Sequence, residues 1–120
     1  MSTDLHEKAK AVAAKAYAPY SNYLVGAVVR MLDGREFAGV NVENAAYPLG
    51  VCAEKTAMAK AVSEGYKPGD FEAIGITASP CGGCRQWLHE FRLESITFEN
   101  RDGKVVTYTA AELLPDTWDF

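Results

Sequence analysis

Residues 51–91 run VCAEKTAMAKAVSEGYKPGDFEAIGITASPCGGCRQWLHEF, and the succession of patterns inside this stretch decides the fold. Cys52 to Glu64 is dense in good helix formers and stops at Gly65, a residue suited to the position just past a helix. Phe71 to Ala78 has the short apolar composition of a buried strand. Cys84 to Phe91 returns to helical spacing, with Leu88 and Phe91 facing inward. Helix, strand and helix in direct succession imply a sheet with helices packed on it.

Outward from this stretch the alternation continues. From Asp4 to Tyr17, Leu5, Ala9, Val12, Ala13 and Ala16 recur at helical spacing behind Ser2 and Thr3 as caps. Tyr23 to Leu32 is β-branched and apolar, Asp33-Gly34 signals a hairpin, and Glu36 to Val42 resumes an extended pattern. A second hairpin is expected from Glu94 to Glu99 and Lys104 to Tyr108 around Asp102-Gly103, before a short helix from Thr109 to Leu114 closed by Pro115. The order is αββαβαββα. It predicts an α/β fold, a three-layer α-β-α sandwich around a five-stranded mixed sheet, formed by residues 1–120 as a single domain.

Length and composition fit that reading: 120 residues suffice for one core, and 48% hydrophobic with 23% charged residues is the balance of a globular chain. A net charge of -4 gives no long-range attraction for phosphates, which disfavours a nucleic-acid substrate. Met1 to Tyr17 lacks the apolar run of a signal peptide, and no stretch reaches membrane-spanning length, so a cytoplasmic location without membrane partners is expected. Three cysteines fit a reducing compartment and a metal or catalytic role better than a disulfide framework.

Those cysteines lie in Val51-Cys52-Ala53-Glu54 and Ser79-Pro80-Cys81-Gly82-Gly83-Cys84. Cys81 and Cys84, three apart on a first helical turn, present thiols on one side, and Cys52 supplies a third. Catalytic zinc commonly takes three protein ligands and keeps its fourth position open. Both segments begin helices, whose N-termini favour thiolates. Lys55 and Arg85 are candidates for offsetting the remaining negative charge, or are ordinary solvated basic residues. On a regular helix, Glu54 and Cys52 would point apart, so Cys52 must sit just before the helix proper if both face the metal. A Cys-X-X-Cys pair also suits a redox centre or a structural zinc site with His6 or His89 as fourth ligand.

Cys-Ala-Glu followed by Pro-Cys-Gly-Gly-Cys resembles the all-cysteine signature of the small cytidine deaminases, a zinc-deaminase pattern with a proton-carrying glutamate. Ala18-Pro19-Tyr20-Ser21, Val25-Gly26-Ala27, Gly39-Val40-Asn41-Val42-Glu43-Asn44, Arg85-Gln86 and Leu113-Leu114-Pro115 resemble segments of the same family in the same order. The resemblance implies that Cys52, Cys81 and Cys84 hold one Zn2+ per subunit. It implies that Glu54 moves protons between water, ring N3 and the departing amine, converting cytidine or deoxycytidine to the uracil nucleoside with release of ammonia, a reaction of pyrimidine salvage. By the same resemblance Asn41 and Glu43, which share a strand face, bind the ribose 3′-hydroxyl, Tyr23 lines the base pocket, and the main chain of Ala53 and Ser79 reads the pyrimidine edge. Taken alone, Asn41 and Glu43 also fit exposed strand polars, and Tyr23 a core aromatic.

This chain departs from the family pattern at three places. Lys55 replaces an arginine, a short run from Ile76 to Ser79 enters the Pro-Cys motif, and Trp118 stands where relatives place a phenylalanine that closes a neighbouring subunit's pocket. Trp118 therefore either stacks on the pyrimidine or anchors the C-terminus. The resemblance further implies a homotetramer. The rival substrates are a modified cytosine nucleoside and a blasticidin-type antibiotic.

Overall fold

The computed structural model describes residues 2–119, with side chains from 4 to 119. Its elements are α1 (Ser2–Ala13), β1 (Gly26–Met31), β2 (Glu36–Val40), α2 (Ala53–Ser63), β3 (Phe71–Ile76), α3 (Gly82–Glu90), β4 (Ser95–Glu99), β5 (Val105–Tyr108) and α4 (Ala110–Leu113), with a 3₁₀ turn at Tyr47–Leu49. The five strands form one sheet in the order β2-β1-β3-β4-β5. Only β3 and β4 run parallel, joined through α3; the other neighbours are antiparallel. The expected α/β order and the five-stranded mixed sheet are borne out.

Several boundaries differ from the sequence reading. The first helix ends at Ala13 instead of Tyr17, because Tyr17 leaves the helix to bridge Val42. The Ser2 and Thr3 side chains expected as caps lie outside the described residues. The first strand starts at Gly26, since Tyr23 to Val25 belong to a loop tied down by side chains. Both hairpins fall where expected, with Gly34 and Gly103 at positive φ. The last helix opens with a reciprocal cap: Thr109 Oγ1 accepts from Glu112 N at 3.1 Å, and Glu112 Oε1 accepts from Thr109 N at 2.8 Å.

The helices divide unequally between the two sheet faces. Leu5 and Ala9 of α1 pack with Val28 and Ala73 on one face. On the other, Ala27, Val29, Met31, Ile74, Ile76, Ile96 and Phe98 meet residues of α2, α3 and α4. The alternation of Val28 with Ala27 and Val29 is the two-residue period of a strand sandwiched between layers.

How deeply α2 sits on the sheet is set by small residues. Ala53, Ala57 and Ala61 recur every four positions and are fully buried, and the first two face Gly39 of β2. A Cβ at Gly39 would stand 2.4 Å from Ala57 N and 2.7 Å from Ala53 O, so no other residue permits this approach. Because α2 carries the cysteine–glutamate segment on its first turn, its depth also sets the position of the site.

Gly39→Ala is expected to cost roughly 1–3 kcal/mol through overpacking, lowering the melting temperature by several degrees in a calorimetric scan. Zinc retention should fall with it, because α2 must move outward. An unchanged melting temperature would contradict this packing.

Candidate active site

One end of the sheet collects every chemistry-bearing segment. The start of β1 pairs with the end of β2 through Gly26 and Val40, and with the end of β3 through Ala27 and Ile76. Residues 23–25, 41–43 and 77–81 therefore leave the sheet side by side. Val42 then exchanges two backbone hydrogen bonds with Val51, both 2.9 Å, which fixes Cys52 beside the strand carrying Asn41 and Glu43. The site lies outside the carboxyl end of β3, where ligands gather in α/β sheets.

Cys52 is the N-cap of α2, with extended backbone (φ -74°, ψ 156°), and Ala53 is the first helical residue. This satisfies the requirement that Cys52 stand just before the helix if it and Glu54 are to face one point. Cys81 is likewise the N-cap of α3, and its Sγ accepts from Cys84 N at 3.4 Å. Two helix N-termini thus converge on the thiols, with their partial positive charge aimed at sulfur.

The Sγ atoms of Cys52, Cys81 and Cys84 all lie within 4.8 Å of one another, and Cys52 and Cys81 are 3.9 Å apart. Sulfurs bound tetrahedrally at about 2.3 Å from one zinc ion stand about 3.8 Å apart, close to the 3.9 Å between Cys52 and Cys81, so a small closing of the cluster brings all three onto one ion. Among the described residues the cluster contains no histidine. His6 is buried on α1, and His89 lies in the last turn of α3, so the alternative of a histidine as fourth ligand is not supported.

Charge inside the cluster is shared through hydrogen bonds. The Cys84 thiol donates to Cys52, and with Cys81 and the Lys55 ammonium it lowers the Cys52 pKa to about 6 against the cost of burial. Cys84, hydrogen-bonded to Cys52, buried and facing the negative charge of Glu54, is held in the thiol form. Glu54 is 4% exposed. Burial, reinforced by the Cys52 charge, pushes its pKa up to about 7, against weaker lowering by its own backbone N–H, Cys84 and Lys55. A carboxyl group near neutrality beside a candidate metal centre is suited to accept and return a proton.

The two basic neighbours differ. Lys55 lies against the cluster, with its Nζ 6.0 Å from the Trp87 ring centroid and its charge felt by both Cys52 and Glu54. Arg85 instead braces the loop before Cys81: its guanidinium donates to Pro80 O at 2.9 Å, Leu113 O at 3.2 Å and Ser79 Oγ at 3.3 Å. Ala53 is buried and opens α2, where a backbone N–H has no partner within the helix.

Asn41 and Glu43 are both held on the loop between α1 and β1. Asn41 Oδ1 accepts from Val25 N and its Nδ2 donates to Tyr23 O, each at 2.9 Å. Glu43 Oε1 accepts from Tyr20 N at 3.0 Å and Ser21 N at 3.1 Å, while Oε2 accepts from Ser21 Oγ. Ser21 and these amides hold the carboxyl below the ordinary carboxylate range. A cavity of about 340 Å³ beside it is lined by Tyr20, Ser21, Glu43, Asn44, Tyr47 and Gly50. Tyr23 is 61% exposed, which excludes the core-aromatic alternative. Trp118 borders a separate cavity with residues of α3 and α4, including His89 and Ala110. Sequence reasoning gave no role to Ser21 or Tyr47; the Pro-Tyr-Ser turn before an extended run was the available signal for Ser21.

Residues 1–100 match the family model for the cytidine and deoxycytidylate deaminase zinc-binding region. The cytidine deaminase of Sporosarcina psychrophila is 42% identical over 109 residues, covering 84% of this chain and 79% of its own. That of Halalkalibacterium halodurans is 43% identical over 108 residues, covering 83% and 80%. The crystal structure of cytidine deaminase from Burkholderia pseudomallei superposes with a TM-score of 0.90 at 44% identity, covering 98% of this chain and 99% of that one. The Mycobacterium leprae enzyme superposes at 0.80 with 36% identity, covering 95% and 97%.

Because Cys84 is held as a thiol in the metal-free cluster, zinc binding at pH 7 should release at least one proton, and affinity should weaken as pH falls and the sulfurs reprotonate. Titration calorimetry in two buffers of different ionisation enthalpy measures the proton count. Binding without proton release would contradict the thiol assignment.

Proposed function

This chain belongs to the zinc-binding cytidine and deoxycytidylate deaminase family, and from that premise we propose that it hydrolytically deaminates cytidine and deoxycytidine, releasing ammonia. The observation that carries the proposal is a buried carboxyl, Glu54, on the same helix turn as one of three thiols clustered as for one zinc ion.

Cys52, Cys81 and Cys84 hold the metal, which when bound brings the pKa of a water toward about 7 and so makes a nucleophile available at neutral pH. Glu54 is placed to take a proton from the attacking water and deliver it to ring N3, which makes C4 electrophilic. After water has added at C4, the same carboxyl carries the proton of the new C4 hydroxyl to the exocyclic amine, the C4–N bond breaks as the C4 carbonyl forms, and ammonia leaves. The Ala53 and Ser79 main chains read the polar edge of the pyrimidine, and Tyr23 walls the base. Lys55 offsets charge at the thiolates, while Arg85 fixes the loop that presents Cys81 and Ser79.

Asn41 and Glu43 take the sugar, which favours a nucleoside over the free base. The acidic balance of the chain favours a free nucleoside over nucleic acid. Tyr20, Tyr23, Leu24, Tyr47, Leu49 and Val51 leave large apolar surfaces exposed around the site, an arrangement suited to cover by neighbouring subunits. We assign a homotetramer in which Trp118, which lines a cavity other than the one beside Glu43, reaches a neighbour's pocket. Among the described residues no helix is long and apolar enough to cross a membrane, and the free thiols fit the reducing cytoplasm.

Glu54→Gln keeps the side-chain shape and removes the proton carrier. It should retain one zinc per subunit by elemental analysis while turnover falls roughly 10²- to 10⁴-fold. The activity is read as absorbance loss on cytidine, deoxycytidine, cytosine and blasticidin, and turnover of neither nucleoside by the parent enzyme would overturn the substrate assignment. Light scattering at micromolar concentration should give four times the chain mass; a monomer would overturn the tetramer.

A further inference from the structure

The hydrogen bonds at Glu43 specify what it can still accept. An ionised carboxylate offers about four acceptor positions and no donor. Oε1 is occupied by the amides of Tyr20 and Ser21, and Oε2 by the Ser21 hydroxyl, so one open position remains, on Oε2. Asn41 Nδ2 spends one N–H on Tyr23 O and keeps the second. A group that both donates and accepts, such as a hydroxyl, matches this pair.

Ser21 controls the oxygen that carries the open position. Its Oγ accepts from Tyr23 N at 3.0 Å, so its own proton is directed to Glu43 Oε2. Tyr23 is therefore held at both backbone groups, its N–H by Ser21 and its carbonyl by Asn41. The turn that allows this is closed by Asn22 N donating to Ala18 O at 2.9 Å, with Asn22 in the left-handed region at φ 59°.

We propose that Ser21 is a positioning residue for substrate recognition: its hydroxyl orients the free acceptor of Glu43 toward the sugar hydroxyl and locks that carboxylate to the backbone of Tyr23, the wall of the base pocket. The inference rests on the assignment of Asn41 and Glu43 to the ribose 3′-hydroxyl. Sugar and base recognition are then mechanically joined, because one serine holds a group from each.

The test compares cytidine with 3′-deoxycytidine in the parent, Ser21→Ala, Ser21→Thr, Glu43→Gln and the Ser21→Ala/Glu43→Gln double variant. Ser21→Ala should raise KM for cytidine about tenfold, moving kcat much less, and should reduce the preference over 3′-deoxycytidine by a similar factor. Ser21→Thr, which keeps the hydroxyl, should restore the preference, and the double variant should lose no more preference than Glu43→Gln alone. If Glu43→Gln abolishes the preference but Ser21→Ala only lowers the melting temperature, Ser21 is a turn residue and the inference is wrong. If Glu43→Gln itself leaves the preference intact, the sugar assignment fails and the inference falls with it.

Discussion

Three sulfur atoms within 4.8 Å of one another at the tips of two helices are the constraint around which this molecule is arranged. Three thiolates that close repel strongly, so without metal the cluster keeps protons, Cys84 remaining a thiol that donates to Cys52. A divalent ion removes the conflict by replacing those protons. Helix N-termini and Lys55 contribute further positive potential, which is why Cys52 and Cys81 stand at N-cap positions.

Everything that sets the cluster's position follows from close packing of small residues and the pairing of strand ends. Gly39 lets Ala53 and Ala57 approach the sheet, fixing the depth of Glu54 and Cys52. The Val42–Val51 bridge ties Cys52 to the segment of Asn41 and Glu43, and Arg85 ties the loop before Cys81 to the end of α4. Burial that raises the Glu54 pKa is thus a product of the same packing that places the sulfurs. Glu54 and the Cys52 sulfur are set by one helix, α2, and the other two sulfurs by α3.

Much of this was legible in the residue pattern because it is local. Helix formers from Cys52 to Glu64, the Asp33-Gly34 and Asp102-Gly103 turns and the spacing of Cys81 and Cys84 each state their structure within a few residues. The chemistry of three thiols also required Cys52 to precede its helix, and it does. Periodicity shows that a side chain points inward but not to which face, so the division of one helix against three stayed hidden. The 3₁₀ turn at Tyr47–Leu49 has no period to detect. Side chains that bond to distant backbone leave no local trace: Ser21 and Glu43 are 22 residues apart, and Asn41 spends its amide on Tyr23 and Val25.

The central claim is a three-sulfur site that leaves one coordination position for water. X-ray absorption at the zinc edge of the purified protein measures this directly. The account predicts three sulfur scatterers at about 2.3 Å and one lighter oxygen scatterer. A fourth sulfur, or a histidine nitrogen filling the shell, would contradict it.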